Sequence, residues 1–149
     1  MTDTTTTHVT VDVDIREIVA GDLPGFHDWY GYERDESFRR SFERHKAGEV
    51  VYIVAHVRGR PVGHLGVDLI RVRDAAHLWQ FGVLPALQSH GIGTAMVAYA
   101  EHAAAAHGFR IAEIGAETDN PRARALYERL GYVLVDERDG EWILRKNLP

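Results

Sequence analysis

Two short segments of this 149-residue chain combine residue types and spacings that can do chemistry. In the first, Gln88-Ser89-His90-Gly91-Ile92-Gly93-Thr94 follows an apolar run stopped by Pro85 and leads straight into an alanine-rich helical pattern. The two glycines let the backbone approach a ligand closely. The first turn of a helix adds unsatisfied N–H groups at the positive end of its dipole. That combination suits phosphate or pyrophosphate, although a plain strand-to-helix turn has the same glycines. In the second segment Asn120 precedes a proline-started helix, with Ala123, Leu126, Tyr127 and Leu130 on one apolar face. On pattern alone, Tyr127 is a core residue with a hydrogen-bonded hydroxyl.

Competing chemistries fit worse. A Walker loop needs a Gly-Lys-Ser/Thr triplet, which the sequence lacks. The dinucleotide fingerprint needs a small residue where Met96 stands and an acid near Ile111. Absence of cysteine excludes disulfides, thiolate metal sites and a thiol nucleophile, and no metal is expected. Seventeen Lys and Arg against 22 Asp and Glu give a net charge of −5, without the basic patch of a nucleic-acid binder; the nearest approach is Arg122, Arg124 and Arg129. No apolar stretch reaches the ~20 residues of a membrane-spanning helix. The polar Thr2–Thr7 run reads as tail rather than leader. The expectation is a cytoplasmic protein with no nucleic-acid or membrane partner, a flexible tail over residues 1–8 and a single domain over 9–149.

The elements that must position these segments follow from periodicity. Val9–Ile15 alternates as a half-buried strand. Asp22 is placed to cap a first helix, and Asp35 or Ser37 a second that runs through Lys46 to Gly48. Val50–Val57 and Val62–Ile70 about Arg58-Gly59-Arg60-Pro61 read as a hairpin, with His77–Leu84 as the next strand. Gly93–His107 is a helix ended by Gly108, Ile111–Glu117 a strand and Pro121–Leu130 a helix closed by Gly131. Tyr132–Asp136 and Trp142–Arg145 form a last hairpin about Asp139-Gly140. The class is mixed α/β with one central sheet.

Together the two segments resemble the GNAT superfamily of N-acetyltransferases. Val83-x-Pro85-x-x-Gln88-x-x-Gly91-x-Gly93 is similar to its acetyl-coenzyme A pyrophosphate signature. Asn120-x-x-Ala123-x-x-Leu126-Tyr127-x-x-x-Gly131-Tyr132 is similar to its second motif, about 30 residues on. The element order agrees over nearly the whole chain. The resemblance implies a mixed α+β fold whose twisted, mostly antiparallel sheet is splayed between its fourth and fifth strands and flanked by about four helices.

It also implies an acetyl-coenzyme A cofactor. Phe81, Gly82 and Val83 would hold the pantetheine arm and polarise the thioester, residues Gln88, Ser89, His90, Gly91, Ile92, Gly93 and Thr94 would cradle pyrophosphate, and Asn120 would bond the arm. Family members often carry Arg or Lys beside the first glycine. Here Ser89 and His90 stand there, so Arg122 or Arg124 would meet the 3′-phosphate. Tyr127 takes the place of the general acid. For the base, the family's positions point to His77, or to Glu117 on the strand where other members carry a glutamate at the position of Gly115. Trp29, Tyr30, Tyr32 and Glu33 would contact the acceptor, since aromatic faces and carboxylates suit an organic cation.

The implied activity is acetyl transfer to a primary amine of a small molecule, by direct attack in a ternary complex of a monomer or homodimer. The alternatives are a non-catalytic acyl-coenzyme A sensor, or a protein N-terminal or lysine acetyltransferase.

Overall fold

A computed structural model describes residues 2–149; Met1, the first residue of the expected tail, lies outside the described residues. Seven strands form one sheet: β1 (Asp14–Glu17), β2 (Val50–Val57), β3 (Arg60–Val72), β4 (Ala75–Val83), β5 (Ile111–Glu117), β6 (Val133–Arg138) and β7 (Glu141–Asn147). Their spatial order is β1-β2-β3-β4-β5-β7-β6. All neighbours are antiparallel except β4 and β5. The helices are α1 (Leu23–Tyr30), α2 (Asp35–Lys46), α3 (Ile92–Ala106) and α4 (Pro121–Arg129). None is long and apolar enough to cross a membrane.

Alternation along the strands divides the sheet into two working faces. Val51, Ile53, Ala55, Leu65, Val67, Leu78 and Ile114 meet Met96, Val97 and Ala100 of α3, with Tyr127 of α4 in the same core. On the other face Tyr52 and Val54 meet Phe26 of α1 and Phe38 of α2. Those two phenyl rings stack 4.2 Å apart and 2° from parallel, which joins α1 to α2.

The first strand is shorter than its alternation predicts. Asp14 already lies opposite His56, near the end of β2, and the β2–β3 turn follows at Arg58-Gly59. Residues upstream of Val13 therefore run past the hairpin with no strand beside them, and Val9 and Val11 stay exposed. The third strand of the central group starts two residues earlier than expected and ends at Val83, and the last hairpin extends to Arg138 and Asn147.

The expected helix caps also differ. Asp22 precedes α1, but its carboxylate takes both terminal nitrogens of Arg16 at 2.9 Å, the Val19 N–H and His56 Nε2 at 2.8 Å. Asp35 turns to His27 Nδ1 at 2.9 Å, and Ser37 accepts from Gln80. These side chains serve tertiary contacts, so neither helix has a side-chain cap.

Burial by itself would raise the Asp22 carboxyl. The hydrogen bonds from Arg16, Val19 and His56 outweigh it and hold the group below its ordinary 3.8. A depressed carboxyl contributes stability above the unfolded value and loses it as pH falls through the folded one. Asp22→Asn should therefore cost about 2 kcal/mol at pH 7, as expected for a lost charged hydrogen-bond set. In urea titrations the gap from the parent should narrow steadily below pH 4.

Candidate functional site

The site begins where β4 and β5 part. Their parallel ladder joins Ala76 to Ala112, His77 to Glu113 and Leu78 to Ile114, and no later pair is formed among the described residues. Beyond it, β4 stays on β3 through Val83 and β5 stays on β7 through Glu117. The gap widens into a cleft of about 640 Å³ lined by Phe81, Gly82 and Val83, the loop and first turn of α3, and Asn120, Arg122, Leu126, Tyr127 and Arg129 around α4.

The loop at the mouth of the cleft is built to present N–H groups. Ser89 and Gly91 both take left-handed backbone, φ 65° and 84°. Among the described residues no side chain caps α3, whose first internal bond is Ala95 N–H to Gly91 O. The N–H groups of its first turn are thus free to meet an anion. Gln88 ties the loop to β4 by donating to Val83 O at 3.0 Å. Asn120 accepts from Ala123 N–H through Oδ1 and so caps α4, leaving its amide nitrogen for a ligand.

Most of the expected cofactor contacts meet here: Phe81, Gly82, Val83, Gln88, Ser89, Gly91, Gly93, Thr94 and Asn120 all line the cleft. Three do not. His90 folds back on Gln88 O at 2.7 Å, Ile92 buries its side chain in the core on the α3 side of the sheet and keeps only its backbone N–H in the first turn, and Arg124 binds Glu128 at 3.0 Å and lies over the Trp142 ring. The cations on the cleft are Arg122, one of the two expected there, and Arg129. Helical spacing separates them from Arg124, which was the signal available in the sequence.

Tyr127 is 7% exposed, borders the cleft and packs its ring 6.4 Å from that of Phe81. Burial pushes its phenol up to about 12. Neither expected base reaches the cleft lining. His77 is buried, with Nδ1 2.8 Å from Glu113 Oε1, and Glu113 in turn holds Arg145. Glu117 is exposed at the end of β5. A carboxylate absent from the sequence reading is Glu141 of β7, which also stands outside the cleft lining. A β-carbon on Gly115 would lie only 1.5 Å from its Oε1, so its carboxylate lies over Gly115, one residue past the last β4–β5 pair.

On the opposite face of β4, Trp29 and Tyr30 stack 4.7 Å apart, and the Tyr30 hydroxyl lies 2.6 Å from His64 Nε2. One part of the aromatic surface expected to take a cationic acceptor is already covered: the Arg34 guanidinium lies 4.6 Å from the Tyr30 ring and 5.3 Å from that of Phe38. Tyr32 and Glu33 remain exposed at the α1–α2 connection.

Residues 13–132 match the Acetyltransferase (GNAT) family model. An uncharacterized N-acetyltransferase of Methanocaldococcus jannaschii is 29% identical over 134 residues, 79% of this chain; the chain spans 59% of that relative's length. The fold superposes with a TM-score of 0.77 on the PaiA N-acetyltransferase of Thermoplasma acidophilum in complex with coenzyme A, at 17% identity over 91% of this chain and 99% of that one. The ribosomal-protein-S18-alanine N-acetyltransferase of Escherichia coli gives 0.74, at 19% identity over 92% and 94%. At these identities both likenesses are of fold.

Inorganic pyrophosphate should shift the amide resonances of Ile92, Gly93 and Thr94 in a saturable titration. Arg122→Ala and Arg129→Ala should each weaken that binding several-fold, whereas Arg124→Ala, whose guanidinium is engaged elsewhere, should change it less than twofold.

Proposed function

The chain belongs to the GNAT acetyltransferase family, and from that premise we propose that it is an acetyl-coenzyme A-dependent N-acetyltransferase. It acts on a primary amine of a small molecule by direct attack in a ternary complex. The observation that carries this reading is the open gap between β4 and β5, which ends at an uncapped helix start. The unpaired backbone edges accept an extended arm as an added strand would be accepted. The α3 N–H groups, with Arg122 and Arg129, suit its phosphates. Acetyl-coenzyme A supplies an acyl group already activated as a thioester.

The chain's residues then divide the work. The backbone N–H of Phe81 polarises the acyl carbonyl, oxyanion-type stabilisation by a preset dipole. As the amine nitrogen bonds to that carbon and the carbon–sulfur bond breaks, Tyr127 donates a hydrogen bond to the departing sulfur. Full proton transfer from a phenol near 12 to a thiolate with an ordinary pKa of about 8.5 is uphill by roughly 5 kcal/mol. Tyr127 therefore acts as a hydrogen-bond donor to the departing sulfur, and coenzyme A leaves as the thiolate, which equilibrates with protons in bulk solvent after release.

The amine must be neutral to attack. An alkyl amine with pKa near 10.4 is protonated at pH 7 by about 3.4 units, roughly 4.6 kcal/mol. We assign acceptance of that proton, through a water, to Glu141, whose carboxylate lies over Gly115 at the start of the gap. Exposed Tyr32 and Glu33 offer an aromatic edge and a carboxylate to an alkylammonium group.

Calorimetric titration with acetyl-coenzyme A, followed by thiol release with a panel of amines, tests the reading. One-site binding with amine-dependent thiol release is expected, and binding without release would identify a sensor. Tyr127→Phe should lower kcat about 10- to 100-fold while leaving the shape of the pH profile unchanged up to pH 10, because the phenol keeps its proton until about 12. Glu141→Gln should lower kcat at pH 7 by about 100-fold, the lower range of general-base effects, while Glu117→Gln stays within twofold.

A further inference from the structure

We propose that His64, locked by Tyr30, is a positioning residue that aims the Phe81 N–H into the cleft. The inference rests on the acyl-transfer reading above and assigns a task to side chains on the far face of the sheet.

The β3–β4 ladder passes from Gly66–Trp79 to His64–Gly82, so two residues of β4, Gln80 and Phe81, oppose one of β3. Gln80 takes φ 57°, left-handed backbone that a glutamine keeps only where its surroundings fix it. Four contacts fix it, the weakest from the Ser41 hydroxyl to its side-chain oxygen at 3.3 Å. Its side-chain oxygen accepts from the Tyr52 hydroxyl at 2.8 Å, its side-chain nitrogen donates to Ser37 at 2.6 Å, and its carbonyl oxygen accepts from His64 Nδ1.

The last contact determines a direction. A carbonyl only accepts, so His64 carries its proton on Nδ1 and Nε2 accepts from the Tyr30 hydroxyl. His64 is 2% exposed, and burial drives its imidazole down to about 4, so one neutral tautomer persists at physiological pH. The peptide bonds described are all trans. The Phe81 N–H therefore points opposite to the Gln80 carbonyl. Holding that carbonyl toward β3 turns the N–H toward the gap β5 has left, where Phe81 and Gly82 line the cleft. The dyad also touches this backbone: a β-carbon on Gly82 would lie 2.6 Å from His64 Nε2 and 3.1 Å from the Tyr30 hydroxyl.

Isotope-edited infrared spectroscopy of acetyl-coenzyme A labelled with carbon-13 at the carbonyl, bound to the full chain, reads the N–H directly and needs no acceptor amine. The wild type should lower the carbonyl stretch relative to the free ester. His64→Leu should return most of that shift and lower kcat roughly 100-fold, as loss of one oxyanion donor does. Affinity for coenzyme A, which has no acyl carbonyl, should stay within threefold. His64→Asn, whose side-chain amide donates from close to the Nδ1 position, should recover much of the shift. Tyr30→Phe should give an intermediate value and decides the matter if His64→Leu does not fold. A full shift retained in His64→Leu or Tyr30→Phe overturns the proposal, as does a fall in coenzyme A affinity that parallels kcat. A wild type that does not bind acetyl-coenzyme A overturns the acyl-transfer reading itself, and this inference with it.

Discussion

Among the described residues β4 and β5 are joined at three positions and no more, and the site depends on how soon they part. Each strand keeps its outer partner to the end, β4 on β3 and β5 on β7, so neither is free to follow the other. The inner backbone groups past Leu78 and Ile114 have no strand opposite them. Such groups require a partner, and an internal gap of this kind is a strand-shaped vacancy in the ladder. Both lips are shaped locally. On β4 the extra residue at Gln80 bends the strand, and on β5 Gly115 gives up its side-chain space to the Glu141 carboxylate.

Because the gap passes through the sheet, it is served from both faces. The α3 side brings the free N–H groups, Arg122, Arg129 and the Tyr127 hydroxyl. The α1–α2 side brings Tyr30 and His64, held by the Phe26–Phe38 stack and, further out, by the Arg16–Asp22 pair that anchors the start of α1 to β1. In the proposed reaction, anion recognition and thiol departure fall to one face and carbonyl orientation to the other. The backbone of Phe81 and Gly82 is the element they share.

The local parts of this arrangement were legible in the sequence, because they depend on neighbours in the chain. The loop from Gln88 to Thr94, Asn120 as the start of α4 and Tyr127 on its apolar face follow from capping, glycine geometry and helical period. What was not legible depends on which side chains meet across elements. Arg34 covers the aromatic surface of Tyr30, although composition alone made that surface look open to a cation. Helical spacing turns Arg124 away from the cleft, but that it would meet Trp142, a residue far along the chain, has no local signal. Glu141 takes the space over Gly115 only because β7 pairs with β5 in that register. The segment Val9–Asp12 shows the same limit in reverse: its alternation was sound, but the partner strand ended before reaching it.

The burial of His77 gives the short parallel contact its register. Asp68, His77, Glu113 and Arg145 stand side by side on β3, β4, β5 and β7, on the face opposite Leu78 and Ile114. Arg44 closes one end of this row on Asp68, and Arg145 closes the other on Glu113 and Asp74. Three parallel pairs are a weak determinant of alignment, since parallel ladders are slightly less stable per residue. A slip of one residue would turn Glu113 into the apolar core that holds Ile114. A slip of two would keep the face but separate Glu113 from His77. Glu113 would keep Arg145, but buried His77 Nδ1 would lose its acceptor, and a buried polar group left unsatisfied costs about 1–3 kcal/mol, enough to decide between registers of a three-pair ladder. The polar row therefore fixes where β4 and β5 stop pairing, and with it the depth of the cleft, without any of its members touching a ligand.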